Sequence, residues 1–365
     1  MKILQVSTHF NIGGIGSYIL SLSAALKERG VGVIVASGGG NLERELEKYG
    51  ISHKVLKMDT KFELSPKVFA SALRLARIIK DENIDLIHAH SRVSQAASLL
   101  ASRLTGIRHV TTCHGFFRKR FRGIFDTWGD KVIAISDAVR VHLEKDLGVK
   151  KDRIELIYNG IDPAKFSKKY SGDEIRDMKR REGLSDGPVI GTIGRLSPIK
   201  GQRFLIEAMP AVLAMEPKAQ VMIVGDGDEK DDLEKLARSL KITGAVHFVP
   251  SDTDTHKFLS IMDVFVFPSV NEGLGLALLE ALASGKACVA SRIGGIGDII
   301  DSGTNGILVG SGNSDAMAGA VISLLSDPAS RIRMGERGRS LVAEKFSLVS
   351  MADKVIKLYE KVTGR

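Results

Sequence analysis

Short runs of apolar and β-branched residues alternate with longer stretches of helical periodicity along the whole chain. Runs of about four to eight such residues are typical of buried strands, and the longer stretches are typical of amphipathic helices. The pattern predicts strands at 2–7, 31–36, 54–58, 84–89, 109–113, 132–135 and 154–158, and again at 188–193, 220–224, 245–249, 264–267, 287–290 and 306–309. Helices are predicted between them, for example at 201–215 and 228–240. This alternation indicates the α/β fold class with parallel sheets.

The predicted strands divide into two sets, one in each half of the chain. Two sheets of six or seven strands do not share one compact core, so we expect two Rossmann-like doubly wound domains, in agreement with the length of 365 residues. We place these domains at 1–165 and 166–346. Residues 163–187 contain few apolar residues and no strand pattern, which is typical of a linker. The amphipathic segment 346–362 follows a complete second sheet, so we expect the C-terminal helix within 347–365 to pack on the first domain.

Composition excludes several classes of protein. Hydrophobic residues at 44% and charged residues at 26% are typical of an ordinary globular chain. No uncharged run approaches the roughly 18 residues of a membrane span, and the first residues become polar too early for a secretion signal. Cys113 and Cys288 lie far apart within apolar runs, which is typical of reduced core cysteines. We therefore expect a cytoplasmic protein.

The formal charge of +9 is distributed unevenly. Residues 1–167 hold 26 Lys and Arg against 17 Asp and Glu, whereas residues 168–365 hold 26 of each kind. The first half is therefore predicted to meet an anionic partner, such as nucleic acid, a membrane surface or an acidic polymer. A basic surface that is simply solvated accounts for the same excess.

A glycine-rich loop follows the first predicted strand. In parallel sheets, ligands bind beyond the carboxyl ends of the strands, so the residues after each strand carry the candidate chemistry. Gly13, Gly14 and Gly16 lead into a helix there, and glycines let the backbone approach a phosphate. A nicotinamide-dinucleotide site would need an acid at the end of the second strand, but Ala36 and Ser37 stand there. We therefore do not expect a dehydrogenase.

Two cations follow the first strand of the second half. Arg195 stands at the strand end and Lys200 stands near the start of the next helix, so both can converge on one site. A planar guanidinium and a mobile ammonium suit a diphosphate. Two surface cations that cap loops would give the same pattern.

Two glutamates flank the start of a later helix. Glu272 and Glu280 stand eight positions apart, which along a helix is about 12 Å. That separation exceeds the roughly 5–9.5 Å between the carboxylates of glycosidases, so we expect the pair to hold opposite ends of an elongated ligand. Gly273 and Gly275 between them leave backbone N–H groups at the helix start open to phosphate oxygens.

These motifs together resemble family 4 of the glycosyltransferases, which have the GT-B fold, and the resemblance runs nearly from end to end. In the first half it rests on Gly13-Gly14, Asp85-Leu86-Ile87-His88-Ala89-His90, Thr112-Cys113-His114-Gly115, Ile135-Ser136 and Tyr158-Asn159-Gly160-Ile161-Asp162. In the second half it rests on Gly194-Arg195, Lys200-Gly201, Val224-Gly225-Asp226-Gly227, the block from Glu272 to Glu280, Gly285, Val289-Ala290-Ser291, Gly294-Gly295 and Asn305-Gly306. The glutamate block together with the Arg/Lys pair is highly specific for that family.

The resemblance implies a nucleotide-diphosphate sugar as donor, bound in a cleft between the two domains. Arg195 and Lys200 would neutralise its diphosphate without a metal ion, and no other cofactor is expected. Glu280 would accept hydrogen bonds from the ribose, Glu272 would hold hydroxyls of the transferred sugar, and His114 would lie near the reacting centre. The remaining substrate contacts would come from Gly14, Gly16, Val249, Leu274, Gly275 and Leu276.

Members of that family retain the anomeric configuration by a front-side displacement in which the leaving phosphate helps to take the acceptor proton. We expect the same here, with stabilisation of the leaving diphosphate as the main catalytic contribution. The chain departs from the usual family pattern at residues 15–17 after the glycine pair, at Lys286 where proline is common, and at 296–298 where Pro-Glu is common. Because of the first departure the acceptor contacts are not assigned, and because of the last one donor contact is not assigned.

Two further clusters have competing interpretations. His88, His90 and His114 are suitable zinc ligands by type, but no Cys or carboxylate completes a set, so no metal site is predicted. The segment from Phe116 to Trp128 places aromatic residues on one helical face with cations between them, which predicts an interfacial helix that contacts an anionic membrane. A helix that packs the same stripe onto the first domain's core accounts for these residues equally well.

We therefore expect a retaining glycosyltransferase that transfers a sugar to a glycolipid, lipopolysaccharide or polysaccharide acceptor, at the inner face of the cell membrane. Two other classes stay open. A GT-B sugar-nucleotide epimerase would act without an acceptor, and a non-catalytic protein would bind an anion through the basic half. Nucleic acid is not the expected partner, because binding alone would not need Glu272 and Glu280.

Overall fold

The computed structural model describes residues 1–60, 62–117 and 127–365. These residues form two compact units. Unit 1 comprises Met1–Gly160 together with Leu348–Arg365, and unit 2 comprises Ile161–Ser347. The bounds of the units lie a few residues from those of the predicted domains 1–165 and 166–346.

The described residues of unit 1 form a seven-stranded parallel sheet. Its strands are β1 (Lys2–Val6), β2 (Gly32–Ser37), β3 (Ser52–Val55), β4 (Leu86–Ala89), β5 (Arg108–Cys113), β6 (Lys131–Ala134) and β7 (Ile154–Leu156), in the spatial order β3-β2-β1-β4-β5-β6-β7. The helices between them are α1 (Gly14–Glu28), α2 (Glu43–Lys48), α3 (Pro66–Asp81), α4 (Arg92–Thr105) and α5 (Asp137–Val141), which continues as a π-helical turn at His142–Asp146.

Unit 2 repeats this architecture with a six-stranded parallel sheet. Its strands are β8 (Val189–Ile193), β9 (Gln220–Val224), β10 (Val246–Val249), β11 (Val264–Phe267), β12 (Ala287–Ser291) and β13 (Ile307–Val309), in the order β10-β9-β8-β11-β12-β13. Its helices are α6 (Gly172–Arg181), α7 (Gln202–Met215), α8 (Lys230–Ser239), α9 (Thr255–Ile261), α10 (Leu276–Ala283), α11 (Ser314–Ser326) and α12 (Pro328–Lys345). Both sheets therefore have the doubly wound order that the sequence predicted.

Continuous apolar runs form the central strands because both faces of each sheet are covered. In β1, Ile3 packs into one core cluster and Leu4 packs into the cluster on the opposite face. In β2, Val35 belongs to the first cluster and Ile34 belongs to the second. Successive side chains of a strand point to opposite faces, so a strand between two helical layers needs apolar residues at every position.

The third strand lies earlier than predicted. The apolar residues Leu56 and Met58 suggested a strand at 54–58, but β3 runs over Ser52–Val55. Leu56 and Met58 are fully buried just beyond the strand end, where they pack into the core cluster beneath α3. β3 is the edge strand of the sheet, so polar residues are tolerated within it.

The interpretation of 163–187 as a linker was wrong, because this segment belongs to unit 2 and contains helix α6. The α6 helix begins with a capping box in which Ser171 and Glu174 satisfy each other's backbone N–H groups. No residue of α6 is fully buried, which explains the low apolar content. The carbonyl of Lys168 contacts the ring of His256 on α9 through a hydrogen bond of 2.9 Å.

The C-terminal helix α13 (Leu348–Thr363) is part of unit 1, although it follows the whole of unit 2 in sequence. Its apolar face enters the core cluster beside α1, where Tyr359 is fully buried. Arg29, the residue after α1, pairs with Asp353 at 2.6 Å on the rim of this contact. Within the described ranges, no helix is long and apolar enough to cross a membrane.

Candidate active site

Each sheet has one point at which the strand order reverses, between β1 and β4 in unit 1 and between β8 and β11 in unit 2. At such a point the loops that follow the two strands diverge and leave a crevice at the carboxyl edge of the sheet. In unit 2 these loops carry Arg195 and Lys200 after β8 and Glu272 after β11. The predicted donor-site residues of the second half therefore lie at one edge of one sheet.

Close backbone packing fixes the loop after β8. A Cβ atom at Gly225 would lie 2.1 Å from the carbonyl oxygen of Gly194, and one at Gly227 would lie 2.1 Å from that of Leu196. Only glycine permits so close an approach. Arg195 stands between these contacts with its side chain exposed, and no carboxylate in the described part of the chain pairs with it. Its guanidinium is therefore available to an anionic ligand.

Lys200 and Glu272 form an ion pair across the switch point. The ammonium of Lys200 also lies 5.6 Å from the centroid of the Phe267 ring at the end of β11. Next to Lys200, Gly201 has φ +66° and starts α7, and a Cβ atom there would lie 2.2 Å from the carbonyl oxygen of Pro268. The loop after β8 is thus pressed against the loop after β11, and this contact brings the two charges together.

Partial burial makes the Lys200–Glu272 pair more than a surface ion pair. The two side chains are 26% and 16% exposed, so water screens their attraction less than on an open surface. The sequence assigned Lys200 to phosphate and Glu272 to sugar hydroxyls, and the structure places the two side chains against each other. A bound diphosphate would compete with Glu272 for the Lys200 ammonium, which would free carboxylate oxygens to accept from hydroxyl groups.

Glu280 lies in the second turn of α10 and has a different partner. One carboxyl oxygen accepts a hydrogen bond of 2.9 Å from the hydroxyl of Thr255 at the start of α9. Burial raises the pKa of Glu280 to about 7, although the Thr255 hydrogen bond and the charge of Lys165 oppose this shift. Near neutral pH the carboxyl group therefore exists in both protonation states and can accept from, or donate to, a ligand hydroxyl.

The sequence predicted that the two glutamates flank the start of a helix, and the structure confirms this placement. Helix α10 begins at Leu276, so Glu272 lies in the preceding loop and only Glu280 lies on the helix. The distinction between the two carboxylates rests on their partners. Lys200 engages Glu272 and Thr255 engages Glu280.

The start of α10 has no side-chain cap among the described residues. Gly275 occupies the N-cap position with φ +98°, and no side chain caps the helix there. The first N–H groups of a helix have no partner within the helix and attract anions. Leu274 is fully buried and Leu276 is partly buried, so their side chains pack inward while the backbone supplies the donors.

The end of β10 borders the same edge of the sheet. The carbonyl of Val249 accepts a hydrogen bond of 2.8 Å from the Gly225 N–H, and its side chain is buried. Asp226 accepts from both the backbone N–H and the hydroxyl of Ser251, and these hydrogen bonds hold the pKa of Asp226 below its usual value. Val249 therefore anchors the loop that would border the base of a nucleotide donor. Its carbonyl already accepts a hydrogen bond from the Gly225 N–H.

Two buried hydroxyls near this site were given no role by sequence reasoning. Ser269 follows β11 by two residues and Ser291 ends β12, and both are almost completely buried. Neither hydroxyl oxygen has a hydrogen-bond partner within the described residues. A buried polar group without a partner is unusual, so these two hydroxyls are further candidate ligand contacts. The signal in the sequence was the position of each serine at a strand end.

Two departures from the family pattern have local structural roles. The ammonium of Lys286 donates to the carbonyls of Ser260 and Met262 at 3.2 and 2.8 Å, and burial lowers its pKa to about 8. Lys286, which precedes β12, therefore ties the start of that strand to the end of α9. Residues 296–298 complete a 3₁₀ turn, Gly294–Asp298, whose Gly295 N–H lies 3.4 Å from the carbonyl oxygen of Glu272.

In unit 1, two glycines near the start of α1 have different roles. Gly14 is exposed at the start of α1, and a Cβ atom there would meet no atom within 4 Å. Gly16 is buried, and its Cβ would lie 2.1 Å from the carbonyl oxygen of Asn11 and 2.8 Å from Leu42. Gly14 is therefore open to a ligand, whereas the close packing of the loop by itself accounts for the glycine at position 16.

His114 ends a chain of buried hydrogen bonds. Its Nε2 lies 3.2 Å from Nδ1 of His90, whose Nε2 lies 2.6 Å from Oε1 of Gln5. Because an amide oxygen only accepts, His90 donates from Nε2 and accepts at Nδ1 from the Nε2–H of His114. Burial lowers the pKa of His114 to about 3, so the ring is neutral. Nδ1 of His114 therefore carries the lone pair of the ring, and no hydrogen bond to it is present within the described residues.

The neighbouring histidine completes the network. His88 contacts the hydroxyl of Tyr359 through Nδ1 at 2.6 Å and the hydroxyl of Thr112 through Nε2 at 2.7 Å. The Gln5 amide nitrogen also donates to Tyr359 at 3.3 Å. Both ring nitrogens of His88 are thus engaged. Among the residues that the structure describes, no group of three His, Cys, Asp or Glu side chains is placed to hold a metal ion.

The predicted interfacial segment from Phe116 to Trp128 lies largely outside the described residues, which omit 118–126. At its end, Trp128 is 4% exposed, and its carbonyl accepts a hydrogen bond of 2.9 Å from Thr111. The Phe116 ring packs against His142 at 5.2 Å between ring centroids. The chain's only tryptophan is therefore a core residue and does not anchor an interfacial helix.

Comparison with known proteins shows the family of this chain. Residues 12–165 match the model of Glycosyltransferase Family 4, and residues 174–341 match the model of Glycosyl transferases group 1. The chain is 30% identical over 305 residues to an alpha-D-kanosaminyltransferase of Streptomyces kanamyceticus, with 76% of this chain and 77% of that protein covered. It is 27% identical over 317 residues to the UDP-Gal:alpha-D-GlcNAc-diphosphoundecaprenol alpha-1,3-galactosyltransferase of Escherichia coli, with 80% and 79% covered.

The fold has a solved counterpart in HepE of Anabaena in complex with UDP-glucose. The TM-score is 0.86 over 99% of this chain and 100% of that chain, at 22% identity. Two doubly wound units with this site at the switch point of the second sheet define a GT-B glycosyltransferase. The chain belongs to family 4 of these enzymes.

Proposed function

We propose that this glycosyltransferase takes its sugar from a nucleotide-diphosphate sugar, retains the anomeric configuration, needs no metal ion and uses a glycolipid or glycan acceptor. The observation that carries the proposal is the set of Arg195, Lys200, Glu272 and Glu280 around the switch point of unit 2. This set combines cations for a diphosphate with carboxylates for hydroxyl groups.

The diphosphate is the group that this site would bind most strongly. Arg195 offers an exposed, unpaired guanidinium, since the described residues provide it with no carboxylate. Lys200 contributes a second positive charge, and the uncapped start of α10 contributes backbone N–H groups. These groups would stabilise the negative charge that develops on the leaving diphosphate, which is the main demand of glycosyl transfer. HepE supports this assignment, because its structure contains UDP-glucose.

The same groups supply the charge that a divalent cation would otherwise provide. The donor phosphates would be neutralised by Arg195 and Lys200, so turnover would not depend on a bound metal ion. We expect activity to persist in the presence of a strong chelator. Loss of activity with chelator, restored by a divalent cation, would contradict this part of the proposal.

Retention is proposed from the family to which the chain belongs, with neither carboxylate acting as a nucleophile. Glu272 is held by Lys200 and Glu280 is held by Thr255, so both have positioning roles. The leaving phosphate then takes the acceptor proton while the acceptor oxygen attacks the same face of the sugar that the phosphate leaves. The product should have the anomeric configuration of the donor, as measured by the coupling constant of the anomeric proton in NMR. An inverted product would exclude this mechanism.

The acceptor is proposed to be a lipid-linked or polymeric glycan, used at the cytoplasmic face of a membrane. The excess of 26 Lys and Arg over 17 Asp and Glu in residues 1–167 supports an anionic environment around unit 1. The Escherichia coli relative supports a lipid-linked acceptor, because its name specifies a diphosphoundecaprenol-linked sugar.

The deciding experiment measures nucleoside diphosphate release from a panel of nucleotide sugars, with and without glycolipid and oligosaccharide acceptors. A transferase releases the diphosphate only slowly alone and much faster with its acceptor. An epimerase would interconvert sugars without any acceptor. A non-catalytic anion-binding protein would release nothing, although it would bind polyanions.

A further inference from the structure

A chain of polar side chains runs across three neighbouring strands of unit 1. Gln5 lies on β1, His90 follows β4 and His114 follows β5, and these strands are adjacent at the point where the strand order reverses. Gln5 and His90 are completely buried, whereas His114 is partly exposed. Buried polar groups destabilise a core unless their hydrogen bonds are satisfied, so the partner of each atom in this chain matters.

The Gln5 amide determines the direction of this chain. Burial holds the pKa of His90 well below its ordinary value, so the His90 ring is neutral and carries one proton. The Gln5 oxygen accepts from Nε2 of His90 at 2.6 Å, which leaves Nδ1 of that ring as an acceptor. Nε2 of His114 lies 3.2 Å from that Nδ1 and therefore carries the proton of its own ring. Gln5 thus determines the tautomer of His114 through His90.

Further hydrogen bonds hold the Gln5 amide in this orientation. Its nitrogen donates to the hydroxyl of Tyr359 at 3.3 Å, and that hydroxyl lies 2.6 Å from Nδ1 of His88. Nε2 of His88 in turn lies 2.7 Å from the hydroxyl of Thr112. The reversed amide would make the Tyr359 contact an O–H···O bond of 3.3 Å, although such bonds measure about 2.5–3.0 Å, and would bring two nitrogens within 2.6 Å. The distances therefore favour one arrangement of protons throughout the network.

Ring packing holds the imidazoles of this network in place. The ring of Tyr18 on α1 lies edge-on against His114 with 4.9 Å between centroids, and its centroid lies 5.6 Å from that of His90. The centroids of His88 and His90 are 4.1 Å apart. These contacts restrict rotation of the His114 side chain. Nδ1 of His114 is then the ring nitrogen of the network that has no hydrogen bond in the described part of the chain, at the carboxyl edge where parallel sheets bind ligands.

We propose that Gln5 is a positioning residue for glycosyl transfer: through His90 it keeps the ring proton of His114 on Nε2, so that Nδ1 accepts a hydrogen bond from a hydroxyl group of the donor sugar. This inference rests on the proposed function, because that function supplies the sugar. His114 touches the substrate, whereas Gln5 and His90 act through it. Burial lowers the pKa of His114 to about 3, so its ring accepts a hydrogen bond without taking up the proton.

The opposite tautomer of His114 would make Nδ1 a donor. A hydroxyl group could still bind to it, but a group that only accepts hydrogen bonds would bind equally well. The tautomer that Gln5 sets therefore selects a group that donates, which distinguishes a hydroxyl from a fluorine atom or an ether oxygen at the same position. A network with a purely structural role would have no such consequence for the substrate.

NMR of the full-length protein labelled with 15N-histidine measures the proton positions. Protonated and unprotonated ring nitrogens have well separated 15N shifts, and His114→Gln identifies the His114 signals by their loss. In the parent protein without any ligand, Nε2 of His114 should be protonated and Nδ1 unprotonated. A proton on Nδ1 in the parent protein would overturn the proposal, and this result does not depend on the folding of a Gln5 variant.

Gln5→Met removes the acceptor but keeps the length of the side chain. His90 then lacks the partner that fixed its proton, so His114 should show a mixture of tautomers. Gln95→Met is the matched control, because Gln95 is also completely buried in unit 1 and its amide has no hydrogen-bond partner within the described residues. This control should leave the His114 signals unchanged, and thermal unfolding shows whether both variants are folded. An unchanged single tautomer in folded Gln5→Met would overturn the role of Gln5.

The kinetic effect of Gln5→Met should depend on the sugar and not on the diphosphate. With a nucleotide sugar that the parent protein uses, the variant should lower kcat/KM about 3- to 10-fold, the contribution of one neutral hydrogen bond. Its affinity for the nucleoside diphosphate alone should equal that of the parent protein. Gln95→Met should match the parent protein in both measurements.

Donors in which one sugar hydroxyl at a time is replaced by fluorine identify the selected group. Fluorine is small but cannot donate a hydrogen bond. The parent protein should discriminate against one of these donors about 3- to 10-fold more strongly than Gln5→Met does. Because both proteins are compared with the same donor, the effect of fluorine on the reactivity of the sugar cancels. Equal discrimination by both proteins across the whole panel would overturn the acceptor role of His114.

These measurements separate this proposal from the proposed function. If the parent protein turns over no nucleotide sugar, the proposed function fails, while the proton positions in the ligand-free protein still decide whether Gln5 sets the tautomer of His114. If the parent protein turns over a nucleotide sugar and Gln5→Met changes neither the tautomer nor kcat/KM, this proposal fails and the proposed function stands.

Discussion

At the residue scale, the pairing of Lys200 with Glu272 determines what each side chain is free to do before a ligand arrives. The pair is partly buried, and Phe267 packs beside the ammonium. Removing one partner leaves the other without a counter-charge in a poorly hydrated position, which costs more than breaking an exposed pair. Single substitutions here should therefore have unequal effects on binding and turnover.

Lys200→Ala and Arg195→Ala should each weaken nucleoside diphosphate binding by about 10- to 100-fold, the range for one charged hydrogen bond. Glu272→Ala should leave that affinity unchanged or improved, because it frees the ammonium of Lys200, while turnover falls. Isothermal titration with a nucleoside diphosphate, together with steady-state kinetics, measures both effects. Unchanged affinity in both cation variants would remove these residues from the diphosphate site.

Glu280 should make stability depend on pH. Its folded-state pKa of about 7 lies above the ordinary value of 4.5, so the folded protein binds a proton that the unfolded chain has already lost. This stabilisation is complete below about pH 4.5 and is lost as the pH rises through about 7. The free energy of unfolding of unit 2 should therefore decrease between these values, and Glu280→Gln should reduce that decrease.

Urea denaturation of the parent and of Glu280→Gln at about pH 5 and about pH 8 tests this dependence. The comparison uses the change between the two pH values within each protein, so a constant effect of the substitution cancels. Identical changes in the two proteins would show that Glu280 titrates normally.

At the element scale, the site lies where glycine allows two loops to pack closely against each other. Gly201 joins Lys200 to α7 in a left-handed conformation and lies against the carbonyl of Pro268 after β11. The ion pair across the switch point depends on this approach, because Lys200 precedes the glycine and Glu272 follows the proline. A change in the loop contact would alter the site without touching its charged residues.

Gly201→Ala should destabilise unit 2 by about 2 kcal/mol or more, because the alanine would have a positive φ and a Cβ in collision with backbone. Gly244→Ala is the matched control, since a Cβ at Gly244 meets no atom within 4 Å. Thermal unfolding should show a lower midpoint for the first variant and little change for the second. Equal midpoints would mean that the loop can move apart without cost.

At the scale of the whole molecule, the chain returns to unit 1 after completing unit 2. Helix α13 supplies Met351, Val355, Leu358 and Tyr359 to the core of unit 1. The hydroxyl of Tyr359 also holds His88 at 2.6 Å. The last residues of the chain thus complete both the core and the histidine network that ends at His114.

Deletion of 348–365 should unfold unit 1. Burial of each large apolar side chain contributes about 1.5–3 kcal/mol, so the loss of four is comparable to the entire stability of a domain, about 5–15 kcal/mol. The deleted protein should lose part of its cooperative unfolding transition in calorimetry. Tyr359→Phe keeps the packing but removes the hydroxyl, so it should retain the transition. A full transition in the deletion protein would show that unit 1 does not need α13.

The sequence by itself determined the fold class and most of the strands. Strands flanked by helices on both faces must be apolar at every position, and this pattern appears directly in the sequence. Positions after strands drew attention to Arg195, Lys200 and Glu272, whereas the roles predicted for Glu280, Val249 and His114 came from the resemblance to the family. The edge strand β3 was misplaced, since its polar residues Ser52 and His53 lack that pattern. The exposed helix α6 was interpreted as a linker for the same reason.

Only the tertiary structure decided which side chains meet. The pairing of Lys200 with Glu272, the chain from Gln5 through His90 to His114, and the burial of Trp128 all join residues far apart in sequence. The exposure of Phe62, Leu64, Phe69 and Leu73 is likewise absent from the sequence pattern, because an apolar residue looks the same whether it is buried or not. Local sequence sets the elements through periodicity and capping, but contacts depend on which elements become neighbours. That choice is made by the packing of the whole chain.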